Sequence, residues 1–121
     1  VEIITGESKS SYGYYVRTIT TRPKATPLGK KMPAIFFVGW LSCDPIEINP
    51  SVMDGWAMLI QDLATKSGLA FMRVEKPGMG DSQGPACETC DLNHDMAAYR
   101  AAFKDLKKLS FVDSTQLVVF G

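Results

Sequence analysis

Residues 70–84 read Ala-Phe-Met-Arg-Val-Glu-Lys-Pro-Gly-Met-Gly-Asp-Ser-Gln-Gly, a short apolar run closed by a loop holding three glycines and a proline. Ala70 to Val74 has the length and side chains of a strand buried on both faces. Pro77 fixes one φ angle, and Gly78 and Gly80 open conformations denied to other residues, so a tight turn is expected where the strand ends.

The pattern repeats on either side. Upstream, Ala34-Ile35-Phe36-Phe37-Val38 is a second continuous apolar run, ended by Gly39 and delivered by a loop, Arg22 to Pro33, that carries three prolines and Gly29. Between the two runs, Trp56, Leu59, Ile60 and Leu63 recur at the i, i+3, i+4, i+7 spacing by which a helix covers a sheet, with Gly68 as its stop. Downstream, Asp91 is placed as an N-cap before Met96, Tyr99, Phe103 and Leu106, which predicts a second amphipathic helix. Gln116 to Phe120 gives a third apolar strand, closed by Gly121. At the start, Val1 to Ile4 and Tyr14 to Thr21 are rich in β-branched and aromatic residues and predict an antiparallel pair.

Strand, helix, strand, helix, strand with two-sided apolar strands implies parallel pairing through crossover helices. The predicted fold class is α/β: antiparallel first strands, then parallel strands with crossover helices, in one domain spanning residues 1–121. The last strand reads as a central one with nothing to cover its far edge, which points to an incomplete domain.

Composition narrows the function classes. Among 121 residues, 13 basic and 13 acidic side chains cancel and form no long run of one sign, so no nucleic acid or anionic membrane is expected as a partner. The apolar runs are far shorter than the roughly twenty residues of a membrane span. The absence of an initiator methionine and the close pair Cys87 and Cys90 lean toward a processed, exported protein.

In open α/β sheets, ligands bind outside the carboxyl ends of the strands, which directs attention to the loops after Val38, Val74 and Phe120. These read Gly39-Trp40-Leu41-Ser42-Cys43-Asp44, Glu75 to Gly84, and Gly121. Together, over roughly residues 14–121, they resemble the α/β-hydrolase family. In that family the first of these strands ends in a glycine-containing oxyanion loop, and the next in a D-x-P-G-x-G-x-S type turn, here Glu75-Lys76-Pro77-Gly78-Met79-Gly80-Asp81-Ser82 with Glu75 in the aspartate position. The third leads into the nucleophile elbow G-x-S-x-G.

The resemblance implies that Gly121 is the first glycine of the elbow and that the serine follows two residues later. The catalytic acid and histidine would follow in turn, so no catalytic residue lies within these 121 positions. Trp40 would offer a backbone N–H to the oxyanion of a tetrahedral intermediate, or Leu41 if the register shifts by one. The family often has histidine before the oxyanion glycine, where this chain has Val38. Gly39, Pro77, Gly78, Gly80, Asp81 and Ser82 are then turn residues beside the site. The implied activity of the parent protein is acyl transfer by a serine hydrolase on a small-molecule ester, with peptide and thioester alternatives and no cofactor.

Two other readings stand beside it. The chain could be a non-catalytic fragment or subunit that pairs a complementary chain along its final strand. It could also be a nucleotide-binding α/β domain, since Gly78-x-Gly80 with Gly84 has a superficial likeness to a dinucleotide loop. Against the latter, no helix opens until about Asp91.

The remaining chemistry-bearing residues carry less. Zinc needs four ligands, and only Cys43 and His94 could join Cys87 and Cys90, so no metal site is expected. Cys87 and Cys90 read as a loop pair, either closed as a small disulfide or reduced. His94, in the first turn of the second helix, reads as a solvated residue rather than the partner of Ser42 or Ser82. Asp44, Asp81 and Glu88 are loop carboxylates with no partner at catalytic spacing.

Overall fold

The computed structural model describes all residues, 1–121. Eight elements follow in order: β1 (Glu2–Lys9), β2 (Tyr15–Arg22), β3 (Met32–Phe37), α1 (Gly55–Lys66), β4 (Ala70–Val74), a single 3-10 turn at Cys87–Thr89, α2 (Leu92–Leu106) and β5 (Val112–Phe120). The strands form one sheet in the order β1-β2-β4-β3-β5. β1, β2 and β4 pair antiparallel, while β4, β3 and β5 are parallel. This is the predicted mixed sheet, with α1 crossing from β3 to β4 and α2 from β4 to β5.

The alternation along the strands explains why both faces are covered. Ala34 and Phe36 of β3 and Ala70, Met72 and Val74 of β4 pack with Ala98, Ala102 and Leu106 of α2. The intervening Ile35, Phe37 and Phe71 pack with Ile60 and Ala64 of α1 on the opposite face. A strand whose successive side chains point to opposite faces must be apolar throughout when both faces carry helices.

Several boundaries differ from the sequence reading. β1 runs to Lys9, well past Ile4, because all eight of its residues pair with β2, from Glu2 opposite Arg22 to Lys9 opposite Tyr15. It is an edge strand, so Glu2, Thr5, Glu7 and Lys9 face solvent at no cost, and the turn to β2 is closed by Gly13 at φ 92°. β5 begins at Val112, and the register between β3 and β5 shifts between Met32 and Ala34. Pro33 lies at that shift, where a residue without an N–H cannot continue the ladder.

The helices are rotated slightly from their predicted stripes. In α1 the buried line is Ile60 and Ala64, while Leu59 is exposed. In α2 Met96 is exposed and Asp95 is buried in its place. Asp91 accepts the His94 N–H (3.1 Å) and Gly68 follows α1 at φ 74°, as expected, while α1 is capped by Asp54, which accepts the Ala57 N–H (2.8 Å) and was not singled out in the sequence.

Candidate functional site

The three parallel strands end side by side. Val38 N–H donates to the Phe120 carbonyl at 2.8 Å, and a Cβ placed on Gly121 would lie 2.6 Å from the Val38 carbonyl oxygen. Only glycine allows so close an approach, so the chain leaves β5 directly against the start of the loop after β3. Beside this junction opens a cleft of about 530 Å³, lined among others by Phe37, Gly39, Trp40, Trp56, Arg73 and Lys76. One wall is aromatic. Trp40 stacks on Trp56 (centroids 5.2 Å apart), which in turn stacks on Phe120 at 6.3 Å.

The loop after β3 is gripped from below. Tyr99 of α2 accepts the Gly39 N–H on its hydroxyl at 3.1 Å. Burial pushes the Tyr99 phenol up to about 12, an effect the Gly39 hydrogen bond partly offsets, so the hydroxyl stays protonated at neutral pH. Lys76 donates its ammonium to the Trp40 carbonyl and pairs with Asp95 of α2 at 3.4 Å, with both side chains nearly buried. The N–H groups of Trp40 and Leu41 donate to no protein acceptor, and both side chains are exposed.

The turn after β4 is organised by Glu75, which is 4% exposed. Its carboxylate accepts the N–H of Asp81 at 2.8 Å and of Ser82 at 3.0 Å, and it pairs with Arg17 of β2 at 2.6 Å. Hydrogen bonds to Glu75 and then to Glu47 raise the Arg17 guanidinium pKa above its usual value. Ser82 donates its hydroxyl to the Glu75 carbonyl and accepts the Arg17 N–H, so it is a structural hydroxyl. Asp81 is exposed and reaches Arg17 at 3.6 Å. Pro77 is buried, and Gly78 (φ 74°) and Gly80 (φ 48°) occupy left-handed conformations. A Cβ on Gly78 would fall 2.0 Å from the Pro85 carbonyl, and one on Gly80 2.4 Å from Glu75 Oε2. These glycines serve the turn's compactness. Because Glu75 takes the amides of Asp81 and Ser82, and Gln83 O takes that of Gly78, none of these three is free to cradle a phosphate.

The cysteines depart from the sequence reading. Cys87 is bonded to Cys43, not to Cys90, so the disulfide ties the loop after β3 to the loop after β4 across 44 residues. Cys87 opens the 3-10 turn and is buried, whereas the Cys90 thiol lies 3.7 Å from the carbonyls of Pro85 and Ala86. Cys90 is free, its pKa raised by burial and by the carboxylates of Asp95, Asp91 and Glu88. No group of three or more His, Cys, Asp or Glu side chains is placed to hold a metal ion, and no helix is long and apolar enough to cross a membrane.

His94 is also more constrained than a solvated residue. Its ring stacks on Tyr12 (centroids 4.5 Å apart), and Nδ1 lies 2.7 Å from Asp91 Oδ1. It therefore belongs to the N-terminal cap of α2, with no serine among its hydrogen-bond partners. Sequence reasoning missed Arg17, Lys76, Asp95 and Tyr99. The one available signal was a carboxylate at position 95, on the face where the helical spacing demands an apolar residue.

No protein-family model matches the chain, and no curated protein matches it in sequence. Solved structures do match. A hypothetical protein from Pseudomonas aeruginosa superposes with a TM-score of 0.74 at 16% identity, covering 100% of this chain and 35% of its own. The alpha/beta hydrolase GrgF from Penicillium sp. sh18 gives 0.71 at 15% identity, covering 98% and 37%. The esterase rPPE gives 0.62 at 18% identity, covering 98% and 33%. The chain thus spans about a third of the length of these structures. Sheet order, crossovers and strand-end loops, taken with these likenesses, identify its fold as that of the α/β hydrolases.

Proposed function

We propose that this chain is the N-terminal portion of a serine hydrolase that acts by acyl transfer, most favourably on carboxylic esters. The observation that carries the reading is the meeting of two segments. Val38, the residue that leads into the loop Gly39-Trp40-Leu41 with its two unspent N–H groups, lies against Gly121 just past the end of β5. An ester carbonyl attacked by a nucleophile just past Gly121 would develop its negative charge where fixed N–H donors can receive it without reorganising. In this reading the chain supplies the scaffold, the oxyanion donor of Trp40 or Leu41, and the aromatic wall of an acyl pocket. The nucleophile, its histidine and its acid come from the remainder of the protein. The esterase and hydrolase names of the similar structures favour this reaction class.

The test is hydrolysis of short p-nitrophenyl esters by the full-length protein, with and without prior treatment by a fluorophosphonate. Turnover abolished by the reagent is expected. Absence of turnover together with absence of labelling would sink the reading.

A second reading is favoured by one observation. β5 is an edge strand with Val118 and Val119 exposed on opposite faces, as a strand awaiting a neighbour would be. As a separate fragment or subunit, the chain would pair there with a complementary chain.

A further inference from the structure

We infer that Lys76, anchored by Asp95 and assisted by Tyr99, is the positioning residue that sets the direction of the oxyanion donors. This rests on the acyl-transfer reading above. A trans peptide holds its carbonyl and its N–H on opposite sides. Lys76 grips the Trp40 carbonyl, so the N–H of the same peptide, that of Leu41, points away from Lys76. Two peptides earlier, Tyr99 takes the Gly39 N–H, which removes that group from the set of available donors. The Trp40 and Leu41 N–H groups stay free in succession, with the Gly39 N–H before them and the Trp40 carbonyl between them both held.

The clamp is built for rigidity. Lys76 and Asp95 have side-chain exposures of 7% and 12%, so their pairing is little screened by solvent. Both Asp95 and Tyr99 project from α2, a helix packed on the opposite sheet face from α1, so the clamp references the loop to the core. A cation on the Trp40 carbonyl also polarises that peptide and makes the Leu41 N–H a stronger donor. Burial of a charged lysine where an apolar side chain would pack as well is otherwise costly, and the clamp supplies its reason.

The test compares the full-length protein with Lys76→Met, Lys76→Arg and Tyr99→Phe. It uses p-nitrophenyl ester kinetics, the affinity of a trifluoromethyl ketone that forms a tetrahedral adduct, and hydrogen exchange of the 39–43 segment. Lys76→Met is expected to lower kcat roughly tenfold to a hundredfold, less than the loss on deleting a donor outright, with KM within about twofold. The ketone should weaken by the same factor, exchange of the Gly39 N–H held by Tyr99 should quicken, and Lys76→Arg should restore part of each. If Lys76→Met does not fold, Asp95→Asn, which removes the anchoring charge at constant shape, takes its place. Unchanged kcat, ketone affinity and exchange, with only a lower Tm, would overturn the inference. If the wild-type protein neither turns over esters nor binds the ketone, the acyl-transfer reading fails. The clamp is then judged by exchange alone: faster exchange of the Gly39 N–H in Lys76→Met upholds it as the device that fixes the loop, and unchanged exchange overturns it.

Discussion

Glu75 is the residue on which the turn after β4 is built, since it carries two backbone N–H groups and a guanidinium on one buried carboxylate. Removing its counter-charge should be expensive. Arg17→Met is expected to cost about 3 kcal/mol in chemical denaturation, because it leaves a carboxylate uncompensated in a desolvated place. A loss below about 1 kcal/mol would mean that the pair behaves as an exposed one. Gly78→Ala should cost on the order of 3 kcal/mol, since the new methyl would meet the Pro85 carbonyl in a strained conformation. Gly13→Ala, in open space at φ 92°, should cost only about 1–2 kcal/mol. Equal melting temperatures for the two variants would contradict this account of the turn. The glycines and Pro77 were legible because a turn's demands are local. Arg17, Lys76 and Asp95 were not, because their roles depend on partners far along the chain, with 58 residues separating Arg17 from Glu75.

The elements show what links the two loops. The Cys43–Cys87 disulfide closes a span of 44 residues. Chain entropy alone assigns such a loop about 4 kcal/mol of stabilisation. Cys43→Ser is therefore expected to lower stability by about 2–4 kcal/mol and to loosen the 39–44 loop, measurable by denaturation and by hydrogen exchange. No change in either would show that β3 and α2 hold the loop unaided. At the start of α2, hydrogen bonds from the His94 backbone and then its side chain hold the Asp91 carboxyl below its ordinary value of 3.8. A depressed carboxylate stabilises the fold above its unfolded pKa and loses that contribution as pH falls through its folded pKa. The first turn of α2 should thus fray below about pH 4. Amide exchange at Asn93 and His94 should quicken there before the rest of the helix, and uniform exchange along α2 would contradict this. Helix existence and the N-cap of α2 were readable from spacing and from Asp91, whereas the α1 cap, Asp54, was not. The face of α2 was not, because a buried ion pair placed a carboxylate where spacing called for an apolar side chain. The disulfide partner was hidden for a similar reason: proximity of Cys87 and Cys90 in sequence says nothing of Cys43, which only the sheet brings near.

For the whole molecule, the mixed sheet with crossover helices was legible because the two-sided apolar strands at 34–38, 70–74 and 116–120 force helices onto both faces, while the strand order itself was not read from the sequence. The extent of β1 and the offset of β5 were not, since edge pairing accepts polar side chains and the register shift depends on where Pro33 meets its neighbour. The same sheet brings Gly39, Lys76 and Gly121 to one end, and the proposed chemistry depends on that convergence. The most direct measurement is fluorophosphonate labelling of the full-length protein followed by mapping of the modified peptide. The account predicts one adduct, on a serine two residues after Gly121. Labelling at Ser42, at Ser82 or at any serine remote from the end of β5 would contradict it, as would an active esterase that the reagent leaves unlabelled.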